Sequence, residues 1–175
     1  MQHTLGHWVK QVSNYLGFAL KIKGFNRVGI SLNGKHLGYS YNSRVNKGAA
    51  LQASLMAGSS LGSCTSPLPP LYIALSTSSL TPAAGDTTLT GETSKTGLAR
   101  ALGTAQNYVA ATTLDGAASY DVYKQFTFTD SATTVVSAAL FDAASTGNMF
   151  VEANLSSSAV MVTFDVLQVT WTVNL

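Results

Sequence analysis

Gln168-Val169-Thr170-Trp171-Thr172-Val173 decides the fold class. Successive side chains of an extended strand point to opposite faces, so Val169, Trp171 and Val173 share one side and Gln168, Thr170 and Thr172 the other. Upstream, residues 160–173 read as one extended stretch, broken or bulged near Asp165. Met149 to Leu155 and Thr133 to Phe141 read as further strands, separated by a loop containing Thr146-Gly147-Asn148. Residues 120–129 place Val122, Lys124, Phe126 and Phe128 on one face, with Lys124 marking a rim. Tyr108 to Leu114 reads as a strand closed by an Asp115-Gly116 turn, and Leu71 to Leu75 as a short, nearly continuous apolar strand. Thr81 to Asp86, with Pro82 and Gly85, is a loop between strands. Six or seven short strands across residues 71–175 predict a mainly β domain, an antiparallel sandwich of jelly-roll or immunoglobulin-like type or a small barrel.

Composition agrees. Charged residues make up 10% of the 175, against about 25% in an average soluble chain. Twenty serines, 20 threonines and 22 alanines take their place. With 46% hydrophobic residues the chain does not suit a charged disordered tail, and it lacks the Glu, Lys and Leu of a coiled coil. One cysteine, Cys64, excludes an intramolecular disulfide framework and a cysteine-based zinc site. No run of 18 apolar residues occurs, so no membrane contact is expected. Lys21 and Lys23 follow the first apolar stretch instead of preceding it, so the mature chain is expected to begin at or near Met1.

The charge is unevenly distributed. Residues 1–66 carry Lys10, Lys21, Lys23, Arg27, Lys35, Arg44 and Lys47 with no acid, whereas residues 67–175 hold all eight acids and only Lys95, Arg100 and Lys124. The portions are therefore +7 and 3 − 8 = −5, an asymmetry that speaks of partners. A Gly/Ser/Pro-rich stretch marks the change, which predicts a basic N-terminal anchoring appendage over 1–57, a linker over 58–70 and a β-sandwich over 71–175. Within the appendage, Leu5, Trp8, Val9, Val12, Leu16 and Ala19 recur at helical spacing. Asn33-Gly34 between Val28–Leu32 and Lys35–Tyr41 reads as a type I′ hairpin turn. Asn46 is placed to cap a short helix through Ala49, Ala50, Leu55 and Met56.

Several segments, taken in order, resemble a group of small virion structural proteins of tailed bacteriophages. They are residues 71–77, 85–92, Gly97-Leu98-Ala99-Arg100, 125–129, 138–143 and 169–173, so the resemblance covers 71–175 and none of the first 66 residues. Such proteins often carry Gly-Asp before the last strand, where this chain has Phe164-Asp165. The resemblance implies a β-sandwich virion component of the tail or fibre module, without enzymatic activity or cofactor. A capsid decoration protein that cements the head is the alternative in the same class.

The residues themselves show no catalytic constellation. His3 and His7 have a metal-ligand spacing, but His36 is the only other histidine and no acid lies nearby. Serine triads, a phosphate-binding glycine loop and a cysteine nucleophile find no support. Asp86 with Glu92, or Asp115 with Asp121, are the candidate carboxylate pairs, and turn chemistry accounts for them better than catalysis does. What remains is docking. Trp8, Lys21, Lys23, Arg27, Tyr39, Tyr41 and Arg44 are the candidate contacts of the basic appendage with other virion proteins or with copies of the chain, a trimer fitting either position in the particle. Contact of the appendage with nucleic acid is the less favoured reading. A receptor- or carbohydrate-binding module is the reading from another class. Its site is expected on loops 83–92, 114–120 or 143–148, where Tyr120 is the clear aromatic.

Overall fold

A computed structural model describes residues 26–42, 45–57, 68–110 and 118–174. Among these, strands β1 (Asn26–Leu32), β2 (Lys35–Asn42), β3 (Tyr72–Ser76), β4 (Ala101–Leu102), β5 (Thr104–Val109), β6 (Ser119–Thr127), β7 (Thr133–Phe141), β8 (Met149–Met161) and β9 (Val166–Asn174) accompany one helix, α1 (Asn46–Ala57). They form two antiparallel sheets, β2-β1-β9-β6-β5 and β4-β3-β7-β8, that face each other as a sandwich and close no barrel.

The alternation along β9 organises the core. Leu167, Val169, Trp171 and Val173 are buried and point inward, flanked by Val28 and Ile30 of β1 and by Val122 and Phe126 of β6. Ile73, Leu75, Val135, Leu140, Val151 and Met161 of the other sheet meet them, and Leu51 of α1 joins the same cluster. The second sheet also buries its outer face. Val45, Ala74, Leu89, Ala139, Phe141 and Met149 pack there beneath the chain that follows β3. A strand covered on both sides needs apolar residues at successive positions, which explains the continuous run Ile73–Ala74–Leu75.

The hairpin β1–β2 forms through Asn33 and Gly34 at φ 48 and 78, both in the left-handed region a type I′ turn requires. Although these residues belong by charge with the basic appendage, β1 pairs along its length with β9, Arg27 opposite Thr172 and Leu32 opposite Leu167. Burial of Val28 and Ile30 against Trp171 and Val169 gives that pairing its register. The helix begins one position earlier than expected. The Val45 carbonyl accepts the Ala49 N–H at 3.0 Å, so Val45 occupies the cap, and the Asn46 N–H is satisfied by the Ala84 carbonyl at 2.8 Å. The expected helix over residues 5–19 and the core of the linker, 58–67, lie outside the described residues.

Two strands differ from expectation. β8 does not stop at Leu155 but continues to Met161 through a bulge, since Ser137 faces Asn154 whereas Val135 faces Ala159. β5 covers Thr104–Val109 rather than 108–114, and residues 111–117 lie outside the described residues.

The strands are tied together by one arginine. Arg100 donates to both Glu92 oxygens, from Nε at 2.9 Å and Nη2 at 2.6 Å, and its Nη1 donates to the Ala143 and Thr146 carbonyls at 3.3 and 3.2 Å. Its guanidinium lies 3.5 Å from the centre of the Phe141 ring. Gly97, three residues earlier, lies close against the backbone at the end of β6. It has φ 87, and a Cβ there would stand 1.9 Å from the Thr127 carbonyl oxygen, so neither the backbone angle nor the space admits a side chain.

The turn before β9 forms with phenylalanine in place of the glycine that the resemblance led us to expect. The Val162 carbonyl accepts the Asp165 N–H at 3.0 Å, and Phe164, at the third turn position, has φ 76 and is 80% exposed. That position of a type II turn favours glycine. Phe164→Gly is therefore expected to stabilise the chain by about 0.5–1 kcal/mol, the left-handed strain released less the greater freedom that glycine loses. A higher melting temperature checks this; an unchanged or lower one contradicts it.

Candidate functional site

Directly opposed residues of an antiparallel pair share a face. The outer face of the five-stranded sheet therefore carries rows that run across its strands. Tyr41, Arg27, Thr172, Asp121 and Gln106 form one row, and Tyr39, Gly29, Thr170, Tyr123 and Thr104 the next. Ser31 opposes both His36 and Gln168 in a third. The face is polar because β9 is half buried: the threonines and glutamine that alternate with its core residues all point here.

A depression of ≈ 180 Å³ opens on this face, lined among others by Arg27, Ser31, His36, Tyr39, Asp121 and Gln168. Its floor is the backbone at Gly29. A Cβ there would come within 2.7 Å of the Tyr39 ring, so glycine is what allows the ring to lie close to the sheet. Arg27 stands 4.4 Å from the ring centre of Tyr39, and the His36 ring packs against it at 4.5 Å. The hydrogen bonds across the strands are ordered in sequence. Asn107 Nδ2 donates to Asp121 Oδ2 at 3.0 Å, Thr172 Oγ1 to Asp121 Oδ1 at 2.8 Å, and Arg27 Nη2 to Thr172 Oγ1 at 3.4 Å. One guanidinium and one carboxylate are thus fixed on the same face, with hydroxyls between them.

The seven docking candidates divide. Arg27, Tyr39 and Tyr41 come together on this face, Tyr39 and Tyr41 being 50% and 69% exposed. Trp8, Lys21, Lys23 and Arg44 lie outside the described residues. Asp121, His36 and Gln168 are additions from the fold. Their signal in the sequence was the polar phase of the strands, which names a face but not its neighbours across the sheet. Tyr120, expected at a loop tip, lies instead in β6 opposite Val173 and packs against the core, where burial pushes its hydroxyl pKa up.

Asp86 and Glu92, the first candidate carboxylate pair, have separate partners. Glu92 is held by Arg100, and Asp86 shares a hydrogen bond with Glu152 of β8, while Asp115 lies outside the described residues. Asp86 also accepts the Ala83 N–H at 2.7 Å. Glu152 is buried, and that burial, followed by the hydrogen bond to and charge of Asp86, pushes its pKa up to about 7 from the ordinary 4.5. The side-chain hydrogen bond with Glu152 and then the Ala83 N–H hold Asp86 below its usual range.

The linkage has a definite sign. Folded chain keeps a proton on Glu152 that unfolded chain releases above pH 4.5, so stability falls as pH rises from 4.5 through 7. We expect about 1–2 kcal/mol across that window, less than the full ~1.4 kcal/mol per unit because the Asp86 side of the pair meets solvent. Glu152→Gln is expected to remove this slope, gaining on the unaltered chain at pH 8 relative to pH 5. An equal difference in melting temperature at both pH values contradicts it.

Residues 50–172 match the model of a protein family described as Podophage GP4 fiber I protein gp80. No curated protein matches the chain.

Proposed function

The chain belongs to the Podophage GP4 fiber I protein gp80 family, and from that membership we propose that it is a non-enzymatic structural component of a tailed-phage fibre, seated on other virion proteins through its basic N-terminal arm. The family match over residues 50–172 carries the reading. It runs from within α1 almost to the end of β9 and leaves out residues 1–49. All seven cations of the first 66 residues lie in that excluded stretch. Arg27 and Lys35 stand on β1 and β2 of the sheet, whereas Lys10, Lys21 and Lys23 precede β1, and that run of cations without an acid supports an anchoring role.

Its partner is an acidic protein surface. The −5 portion of another copy is one such surface, and exchange of an arm between identical subunits would build a symmetric assembly. Lysines at the rim of the contact would steer association, with aromatics at its centre.

Immunogold labelling of intact particles with antibody to the full chain tests the position. Label confined to the tail fibres is expected, and regular label over the head would replace this reading with capsid decoration. The arm is tested by particles whose chain carries Lys10→Glu, Lys21→Glu and Lys23→Glu. The protein is expected to be largely lost from particles while the soluble chain keeps its melting temperature. Undiminished incorporation would sink the charged anchor.

A further inference from the structure

We propose that the depression on the outer face of the five-stranded sheet binds a neutral saccharide unit. This goes beyond the fibre role and rests on Arg27, Tyr39 and Tyr41 of the sheet, not on the lysines that precede β1.

The argument starts from what the face leaves unsatisfied. The Gln168 amide and the Ser31 and Thr170 hydroxyls make no hydrogen bond among the described residues, although all three line the depression. An apolar ligand would cover these groups and leave them unpaired, at a cost in affinity. A phosphate, a sulfate or a nucleic-acid backbone would meet the Asp121 carboxylate, which Asn107 and Thr172 hold on the same face as Arg27. Opposite fixed charges with amide and hydroxyl groups between them fit a ligand that offers both donors and acceptors and carries no charge. Neighbouring sugar hydroxyls are such a set: one donates to Asp121 while another accepts from Arg27 or Gln168.

The aromatic side chains supply the rest. Tyr39 has Arg27 and His36 against its ring and forms a wall. Tyr41 stands next along the same face, opposite Arg27, and is 69% exposed. The C–H face of a pyranose is weakly positive and apolar, and it packs on the negative face of such a ring. The depression therefore presents hydrogen-bonding groups beside the Tyr39 ring, with the exposed Tyr41 opposite its Arg27 on the same face, all carried on paired strands.

The test uses the full chain on an array of neutral, sialylated and sulfated oligosaccharides, followed by titration with the best neutral one and competition by inorganic phosphate. Retention of neutral oligosaccharides is expected, with Gln168→Ala and Tyr41→Ala each weakening binding about tenfold, the loss of one or two contacts. Both variants should melt as the unaltered chain does. Should Gln168→Ala melt early, the exposed Tyr41→Ala decides alone. An array without saccharide binding overturns the proposal, and so does affinity unchanged in the deciding variants. Displacement by phosphate would also overturn it, and would make the depression an anion site.

Discussion

Replacing Trp171 by alanine is expected to destabilise the chain by about 3–5 kcal/mol, the usual cost of truncating a buried tryptophan. The indole is fully buried on β9, between Val28 of β1 and Val122 of β6, and among the described residues it is the largest of the fully buried side chains. Its removal leaves a void between two sheets whose strands cannot close on it without breaking their ladders. A marginal domain holds only about 5–15 kcal/mol in total, so the melting temperature should fall by roughly 10 °C. The indole Nε1 has no hydrogen-bond partner among the described residues. Trp171→Phe therefore gives up packing volume but no polar contact there, and should cost well under half as much. A melting temperature that hardly moves in the alanine variant would mean that Trp171 does not carry the core.

That prediction rests on a feature visible in the sequence. The period of two over residues 168–173 reappears as the burial pattern of β9, because one face meets the core and the other meets water. β7 was legible for a different reason: its apolar run ends at polar, turn-forming residues, and Thr133–Phe141 is found within the expected bounds. β5 was not. All six of its residues are exposed, so burial imprints no period on it, and its start at Thr104 left no mark in the sequence pattern. In β8, Ser156–Ser158 read as an interruption, yet they are solvent-facing residues at a bulge, and a Cβ at Gly38 of β2 would meet the Ser156 hydroxyl at 2.3 Å.

The site was legible in half of its chemistry. Charge and aromatic content singled out Arg27, Tyr39 and Tyr41, which do share a face. Asp121 and Gln168 join them only because β1 pairs with β9 and β9 with β6, and a residue pattern says which side of a strand is polar without saying which strand lies beside it. The segments that carried the resemblance fared better. Glu92, Arg100, Phe141 and Ala143 come from three of them, and they meet at the single guanidinium of Arg100.

Arg100→Ala is the second large effect, expected at about 2–4 kcal/mol. The side chains of Arg100 and Glu92 are 10% and 28% exposed, so the pair is far less screened than a surface ion pair. Removing Arg100 strands the Glu92 carboxylate, takes a donor from the Ala143 and Thr146 carbonyls, and uncovers the Phe141 ring. Arg100→Lys keeps the charge but cannot grip both carboxylate oxygens while reaching the two carbonyls, so it should recover less than half of the loss. The loss should also have a location. The loop after β7 is held from one side by Arg100 and from the other by Asp142, whose Oδ1 accepts the Asn148 N–H at 2.6 Å. With the arginine gone, that N–H should exchange with solvent well before the core amides of β9 do. A double-mutant cycle with Glu92→Ala separates this clasp from an ordinary surface contact. Strong coupling, with each single variant costing most of what both cost together, is expected. Additive effects of under about 0.5 kcal/mol each would instead make the pair one of the many surface ion pairs that hold nothing together.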